Sequence, residues 1–173
     1  MAIIADSSAL IGMVRIHRLE LLRKLYKRVL ITKSVHQEVV IEGKRLHKAG
    51  VEEIERDIQA GWINVASLTK SHLESVEAFR ASGEIGRGEA EAIALARSRK
   101  LPLIVDDRYA RELAGTLGLE FLGTGAVLLE AHLRGLLSEK EFVESLGELG
   151  KVMWLSPEVM AELLRLAKEV EKG

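Results

Sequence analysis

The sequence contains no cysteine among its 173 residues. A disulfide framework, a thiolate nucleophile and a zinc site built from cysteine are therefore excluded. No stretch reaches the ~20 consecutive apolar residues that a membrane-spanning helix needs. The apolar run after Met1 stops at Asp6 and has no basic start, so it does not resemble a secretory signal. We therefore expect a soluble protein of the cytoplasm.

A large excess of charge of either sign is also missing, because the net charge is −1 at pH 7. The overall net charge therefore does not indicate a nucleic-acid-binding protein. Locally, one segment carries seven basic residues and a single acid, Glu20; the basic residues are Arg15, Arg18, Arg23, Lys24, Lys27, Arg28 and Lys33. This basic stripe can contact phosphate, although a solvated helix face has the same composition. We interpret Trp62 and Trp154 as packing residues rather than as platforms on which bases stack.

Several catalytic motifs are absent as well. The five histidines show no paired H-x-x-x-H spacing. Gly83, Gly86 and Gly88 follow no Rossmann strand and precede no G-K-[ST], which argues against dinucleotide and P-loop sites. No histidine stands in a triad context for Ser7 or Ser8, which argues against a serine hydrolase. We expect the three glycines to let the chain turn into the helix that follows.

What the sequence does contain is an alternation of short apolar runs and amphipathic stretches. The predicted strands cover 2–5, 28–32, 61–65, 101–105 and 119–122. The predicted helices cover 9–27 with a break near His17, a segment starting at Ser34, 43–60, 71–81, 89–99, 108–117, 124–134 and two in 138–172. Ser34 and Gln37 stand in the capping-box relation. This order is typical of an α/β protein whose parallel sheet is covered on both faces.

Acidic residues occur where these elements meet the carboxyl edge of the sheet, the edge at which such folds bind ligands. Asp6 ends the first strand, Asp106 and Asp107 end a later one, Glu38 follows the second strand, and Glu89 begins an alanine-rich helix. Several carboxylates at one edge repel one another unless a cation offsets them. Oxygen ligands favour Mg²⁺ or Mn²⁺, and these ions activate water and neutralise a phosphodiester.

Each acid also has a structural explanation. Asp6, or one of the two serines after it, could cap the next helix, and the Asp106–Asp107 pair could cap the helix that begins at Arg108. Glu38 and Glu89 lie near helix N-termini, where the macrodipole favours a negative charge. The metal site has the advantage that it explains acids from four separate elements together.

Five stretches of this chain resemble the PIN-domain family of metal-dependent nucleases, which includes many prokaryotic toxins. They are IIADSSALI (3–11), ITKSVHQEVV (31–40), GRGEAEAIALA (86–96), LIVDDRYAREL (103–113) and FLGTGAVLLEAHLRGLLS (121–138). The chain is most similar to the toxin-like branch with a GExEAIALA helix and a double Asp. The resemblance covers residues 1–138 and implies a PIN-like nuclease domain there. From the two amphipathic stretches in the tail, we expect residues 139–173 to form a C-terminal helical extension that packs on the same domain.

The resemblance also implies a three-layer α/β/α fold with a parallel sheet of about five strands. Its acidic pocket would hold one or two Mg²⁺ or Mn²⁺ ions and hydrolyse RNA with an activated water. Carried over by position, the catalytic and metal-binding acids are Asp6, Glu38, Glu89, and Asp106 or Asp107. Glu91 competes with Glu89 for the third position. Many family members have Thr-x-Asp at the fourth position, and this chain has Val105 followed by two aspartates.

Two polar residues accompany the acids in this resemblance. Ser8 falls where the family keeps a small residue that orients the first Asp, and Thr124 is expected to do similar work near the pocket. The resulting hypothesis is a metal-dependent endoribonuclease, with a toxin role that would add a small antitoxin protein and a homodimer as partners. The alternative is a non-catalytic module on the same fold that binds nucleic acid or an antitoxin.

Overall fold

The strands form one all-parallel sheet in this computed structural model, which describes residues 1–171. The strands are β1 (Ala2–Ala5), β2 (Arg28–Thr32), β3 (Ile63–Ala66), β4 (Leu103–Ile104) and β5 (Phe121–Leu122). Their spatial order is β3-β2-β1-β4-β5, with β1 in the centre. The chain runs outward from β1 to β3 and then returns to the other side of β1. The direction of winding therefore reverses between β1 and β4, which is where doubly wound sheets open a ligand crevice.

The helices cover both faces of this sheet. They are α1 (Ser7–Arg15), α2 (Glu20–Tyr26), α3 (Lys33–His36), a π-helix (Gln37–Glu42), α4 (Gly43–Arg45), α5 (Val51–Gln59), α6 (Lys70–Arg80), α7 (Arg87–Arg99), α8 (Arg108–Thr116), α9 (Thr124–Leu133), α10 (Glu139–Val152) and α11 (Pro157–Glu171).

Alternate side chains of β1 point to opposite faces of the sheet. Ile3 and Ala5 join the core formed with α1, α9 and α10, whereas Ile4 joins the core formed with α7 and α8. The predicted three-layer α/β/α fold with five parallel strands is confirmed.

The C-terminal helices share the main core. Phe142 and Leu146 of α10 and Leu163 of α11 are buried in the same cluster as Ile3 of the central strand. These helices therefore pack directly on the α/β domain. The division of the chain at residue 138 stays a prediction, and Lys172 and Gly173, which the predicted extension includes, lie outside the described residues.

Three local predictions are wrong. The helix after β2 starts at Lys33 rather than Ser34, because the Thr32 hydroxyl already accepts from the Val35 N–H as the strand ends. The predicted helix over 43–60 is interrupted, because His47 and Gly50 adopt positive φ angles of 50° and 85°. Trp62 is buried as predicted, but Trp154 is 82% exposed.

No helix within residues 1–171 combines the length and the apolar character needed to cross a bilayer.

Helix α10 begins at a complete capping box. The Ser138 hydroxyl accepts from the Glu141 N–H, and the Glu141 carboxylate accepts from the Ser138 N–H at 2.9 Å. We expect Ser138→Ala to lower the free energy of unfolding by about 1 kcal/mol, because a helix N–H loses its acceptor. Urea denaturation checks this, with Ser71→Ala at an exposed position of α6 as the control. Equal midpoints for the two variants would show that the cap does not stabilise the protein.

Candidate active site

Asp6 lies at the carboxyl end of the central strand and is the N-cap of α1. Its Oδ1 accepts from the Ala9 N–H at 2.9 Å and from the Ser8 hydroxyl at 3.0 Å. These contacts confirm Asp6 as a helix cap and Ser8 as a residue that orients it. The residue is only 2% exposed, and its Oδ2 is buried with no hydrogen-bond partner among residues 1–171. A buried carboxylate oxygen without a donor is costly unless a proton or a cation occupies the position beside it.

The electrostatics of Asp6 identify its acidic neighbours. The pKa of the Asp6 carboxyl is raised from 3.8 to about 7, mainly by burial and then by the negative charge of Asp106. Glu89 raises this pKa further, whereas the hydrogen bonds from Ala9 and Ser8 lower it. Asp106 and Glu89 therefore each lie close enough to Asp6 for their charges to act on its carboxyl.

The two consecutive aspartates after β4 have different environments. Asp106 accepts two hydrogen bonds from Thr124, one from its N–H at 2.8 Å and one from its hydroxyl at 2.6 Å. Burial raises the pKa of Asp106, and the hydrogen bonds from Thr124 and the charge of Arg111 oppose that rise. Asp107 is exposed and caps α8 by accepting from the Ala110 N–H at 2.9 Å. Asp106 therefore faces the crevice beside Asp6, and Asp107 has a structural role at the start of α8.

Gly123 lies against Asp106 and was not singled out by the sequence pattern. A Cβ atom at this position would lie 3.1 Å from Asp106 Oδ1, tighter than ordinary packing. The absence of a side chain at Gly123 therefore lets the start of α9 approach Asp106 closely enough for Thr124 to donate to it. The only sequence signal was its place directly before Thr124.

Glu38 lies within the π-helix that follows α3. Its Oε2 accepts from the Ser7 hydroxyl at 2.6 Å, which connects it to the residue next to Asp6. Its side chain is exposed, unlike that of Asp6. Arg15 and Lys48 line a cavity of about 340 Å³ together with Glu38, so basic groups accompany this acid. A π-helical turn often marks a functional position, because it changes the direction of a side chain without ending the helix.

Glu89 and Glu91 point into different surroundings at the start of α7. Glu91 is buried; its Oε1 accepts from Arg87 Nε at 2.9 Å, and its Oε2 has no hydrogen-bond partner among the described residues. Glu89 is partly buried, and its negative charge raises the pKa of Asp6. A Cβ atom at Gly86 would collide with the Glu89 carboxylate, so this glycine leaves space for the Glu89 side chain. Of the two glutamates, Glu89 belongs to the acidic group and Glu91 to an ion pair.

Of the predicted acids, Asp106 and Glu89 lie near Asp6, whereas Glu38 contacts Ser7 and Asp107 caps α8. Within residues 1–171, no three histidine or acidic side chains are close enough to hold an ion as they stand. Arg87 and Arg108, the first residues of α7 and α8, form ion pairs with Glu91 and Glu112 respectively. The arrangement offers hard oxygen ligands at one edge and suits a divalent cation that draws the carboxylates together. The ligand set itself stays a prediction.

A family model described as a PIN domain matches residues 2–169 of the chain. This range includes every acid discussed above, all of α10 and most of α11. No curated protein matches the chain.

Proposed function

Because this chain belongs to the PIN-domain family, whose members are generally nucleases, we propose that it is a metal-dependent endoribonuclease. The observation that carries the proposal is the buried Asp6 Oδ2, which has no hydrogen-bond partner within residues 1–171. It lies at the point where the winding of the sheet reverses, with the charges of Asp106 and Glu89 beside it. A divalent cation is the partner that would satisfy all three groups at once.

We assign Asp6, Asp106, Glu89 and Glu38 as the residues that would hold Mg²⁺ or Mn²⁺. All four provide carboxylate oxygens, which hard cations prefer. A bound cation would supply the positive charge that activates a water and offsets the phosphodiester. We rank Asp107 lower as a ligand because it caps α8, and Glu91 lower because Arg87 pairs with its Oε1.

The surrounding residues would hold these acids in position before substrate binds. Ser8 and the Ala9 N–H fix Asp6, Thr124 fixes Asp106, and Ser7 contacts Glu38. Such supporting hydrogen bonds keep a ligand oxygen aimed at the site and reduce the cost of ordering it. Arg15 and Lys48 beside Glu38 are suited to contact the phosphates of the RNA backbone.

The experiment that tests this function uses a circular RNA of mixed sequence, because only an endonuclease can open a circle. We expect the purified chain to linearise it with Mn²⁺ or Mg²⁺ and not with EDTA. Asp6→Asn, purified in parallel, measures contaminating ribonuclease. Equal cleavage by both proteins would refute the assignment. Tight RNA binding without cleavage under any metal condition would favour the alternative of a non-catalytic binding module.

A toxin role would extend this proposal to a protein partner. It requires a small antitoxin that silences the nuclease, and we also propose a homodimer in the cytoplasm. Native mass spectrometry of the chain purified from its own cells tests both, since a dimer or a complex with a small protein differs in mass from the monomer. A monomer without a bound protein would remove both partners.

A further inference from the structure

Trp154 is the most exposed large hydrophobic residue among residues 1–169, with 82% of its surface in contact with solvent. It lies in the short connection between α10 and α11. An indole that stays in water does not contribute the stabilising free energy that its burial would provide. Its neighbours Leu155 and Ser156 are partly buried, so the connection itself is packed while the indole projects from it.

A cleft of about 370 Å³ joins this indole to the candidate active site. Asp106, Arg111 and Gly123 line this cleft together with Trp154, Leu155 and Val159. Substrate held at Asp106 would therefore have its adjoining group within this cleft. Arg111 is positioned by stacking over the Phe121 ring, with its guanidinium carbon 5.6 Å from the ring centroid.

We propose that this cleft binds one unpaired nucleobase of the RNA, stacked on Trp154, next to the phosphate that is cleaved. The inference rests on the proposed nuclease function and adds a substrate feature to it. An exposed indole is a platform for any base, because every base has a π-face. A single-stranded base can turn out of its stack to reach such a platform, whereas a base within a duplex cannot.

The charges that line the cleft favour a base over the backbone. Glu158 and Glu162 of α11 also line it, and their carboxylates would repel a phosphate. Glu162 is paired with Arg165, while Glu158 has no ion pair within residues 1–171. A free carboxylate accepts from the amino group of cytosine N4. The cleft is therefore suited to a base that carries an exocyclic amino group rather than to uracil.

Tryptophan fluorescence gives a readout that does not depend on cleavage. The chain has two tryptophans, and Trp62 is only 6% exposed, so quenching by a ligand in solution reports mainly on Trp154. The probe is a short single-stranded RNA added to the wild-type chain in EDTA and at low salt, where electrostatic screening is weak. We expect quenching by this RNA and not by the same sequence as a duplex. Quenching of equal size by both would overturn the proposal, as would no quenching.

Substitutions then separate stacking from other roles. Trp154→Ala should weaken binding of a labelled single strand by about 5- to 150-fold, the range for loss of one stacked base. Trp154→Phe should retain most of the affinity, and the control Leu73→Ala, an exposed residue on α6, should retain all of it. Unchanged binding by Trp154→Ala would overturn the base subsite.

Two further outcomes are informative. If Trp154→Ala instead converts a dimer to a monomer in sedimentation and binds RNA normally, this face is a protein interface and the subsite is refuted. If the wild type shows Trp154-dependent binding but never opens the circular RNA, the subsite stands and the nuclease proposal fails. Normal cleavage of short RNAs by Trp154→Ala, with unchanged kcat/KM, would remove the subsite and leave the nuclease.

Discussion

Asp6→Asn is expected to lower metal-dependent RNA cleavage by more than about 100-fold while leaving the fold intact. Loss of a supporting residue around a metal costs about 10- to 100-fold, so loss of a direct ligand should exceed this range. The asparagine oxygen can still accept from the Ala9 N–H, so α1 keeps its cap. Single-turnover cleavage measures the activity, and circular dichroism measures the fold.

The matched control for this result is Asp57→Asn, an acid on α5. It removes the same charge without touching Asp6 or the acids that raise its pKa. Loss of cleavage in both variants would mean that net charge, rather than the Asp6 carboxylate, governs activity. A folded Asp6→Asn that cleaves at the wild-type rate would remove Asp6 from the proposed ligands.

The same substitution has an expected effect on stability that needs no substrate. Because the pKa of Asp6 is about 7 in the folded protein and near 3.8 when unfolded, the folded state binds its proton more tightly. The metal-free wild type should therefore lose stability as pH rises from about 4 to about 7, by at most about 4 kcal/mol from this group. Asp6→Asn should lack this contribution. Urea denaturation at pH 4.5 and pH 8 measures the difference between the two proteins.

Added cation should reverse this loss in the wild type only. At pH 8 the Asp6 carboxylate is mostly ionised and its Oδ2 has no donor among the described residues, so Mn²⁺ or Mg²⁺ bound to the folded state should raise the Tm of the protein. Asp6→Asn should show a much smaller rise at the same concentration. An equal rise in both proteins would place the bound cation away from Asp6, whatever the outcome of the cleavage assay.

Asp106→Asn and Asp107→Asn are expected to differ by more than about 100-fold in cleavage, although they remove the same charge from adjacent residues. Asp106 faces the crevice and accepts two hydrogen bonds from Thr124, so Asp106→Asn should remove a metal-binding carboxylate. Asp107 caps α8, and asparagine is an equally good cap, so this variant should keep both activity and stability. Parallel single-turnover assays of the two variants provide the measurement.

The reverse outcome would be equally clear. If Asp107→Asn lost cleavage and Asp106→Asn kept it, the loop after β4 would have to rearrange when the cation binds. If both lost cleavage, each aspartate would hold a cation, as a site with two ions requires. Either result would replace the assignment of Asp106 alone.

The sequence pattern was sufficient for the fold and for the edge of the sheet that carries the acids. Short apolar runs such as 2–5 and 28–32 are long enough to be recognised, and their alternation with helices restricts the topology to a covered parallel sheet. Within that topology, residues at strand ends such as Asp6 must gather at one edge. The predicted boundaries of β3, β4 and β5 were less accurate, because apolar character alone does not distinguish a residue within a strand from an apolar residue next to it.

The choice between neighbouring residues was decided only by tertiary structure. Nothing local distinguishes Asp106 from Asp107, because the direction of each side chain depends on where α8 begins and on the approach of Thr124 at Gly123. Arg87 pairs with Glu91 rather than with Glu89, although both glutamates lie on α7. Trp154 is exposed in the connection that precedes α11, and α11 packs against α9, a contact between distant parts of the chain. The sequence by itself thus determined the layers and the acidic edge, since these follow from periodicity and chain order, whereas individual roles in the site required the packing of residues far apart in sequence.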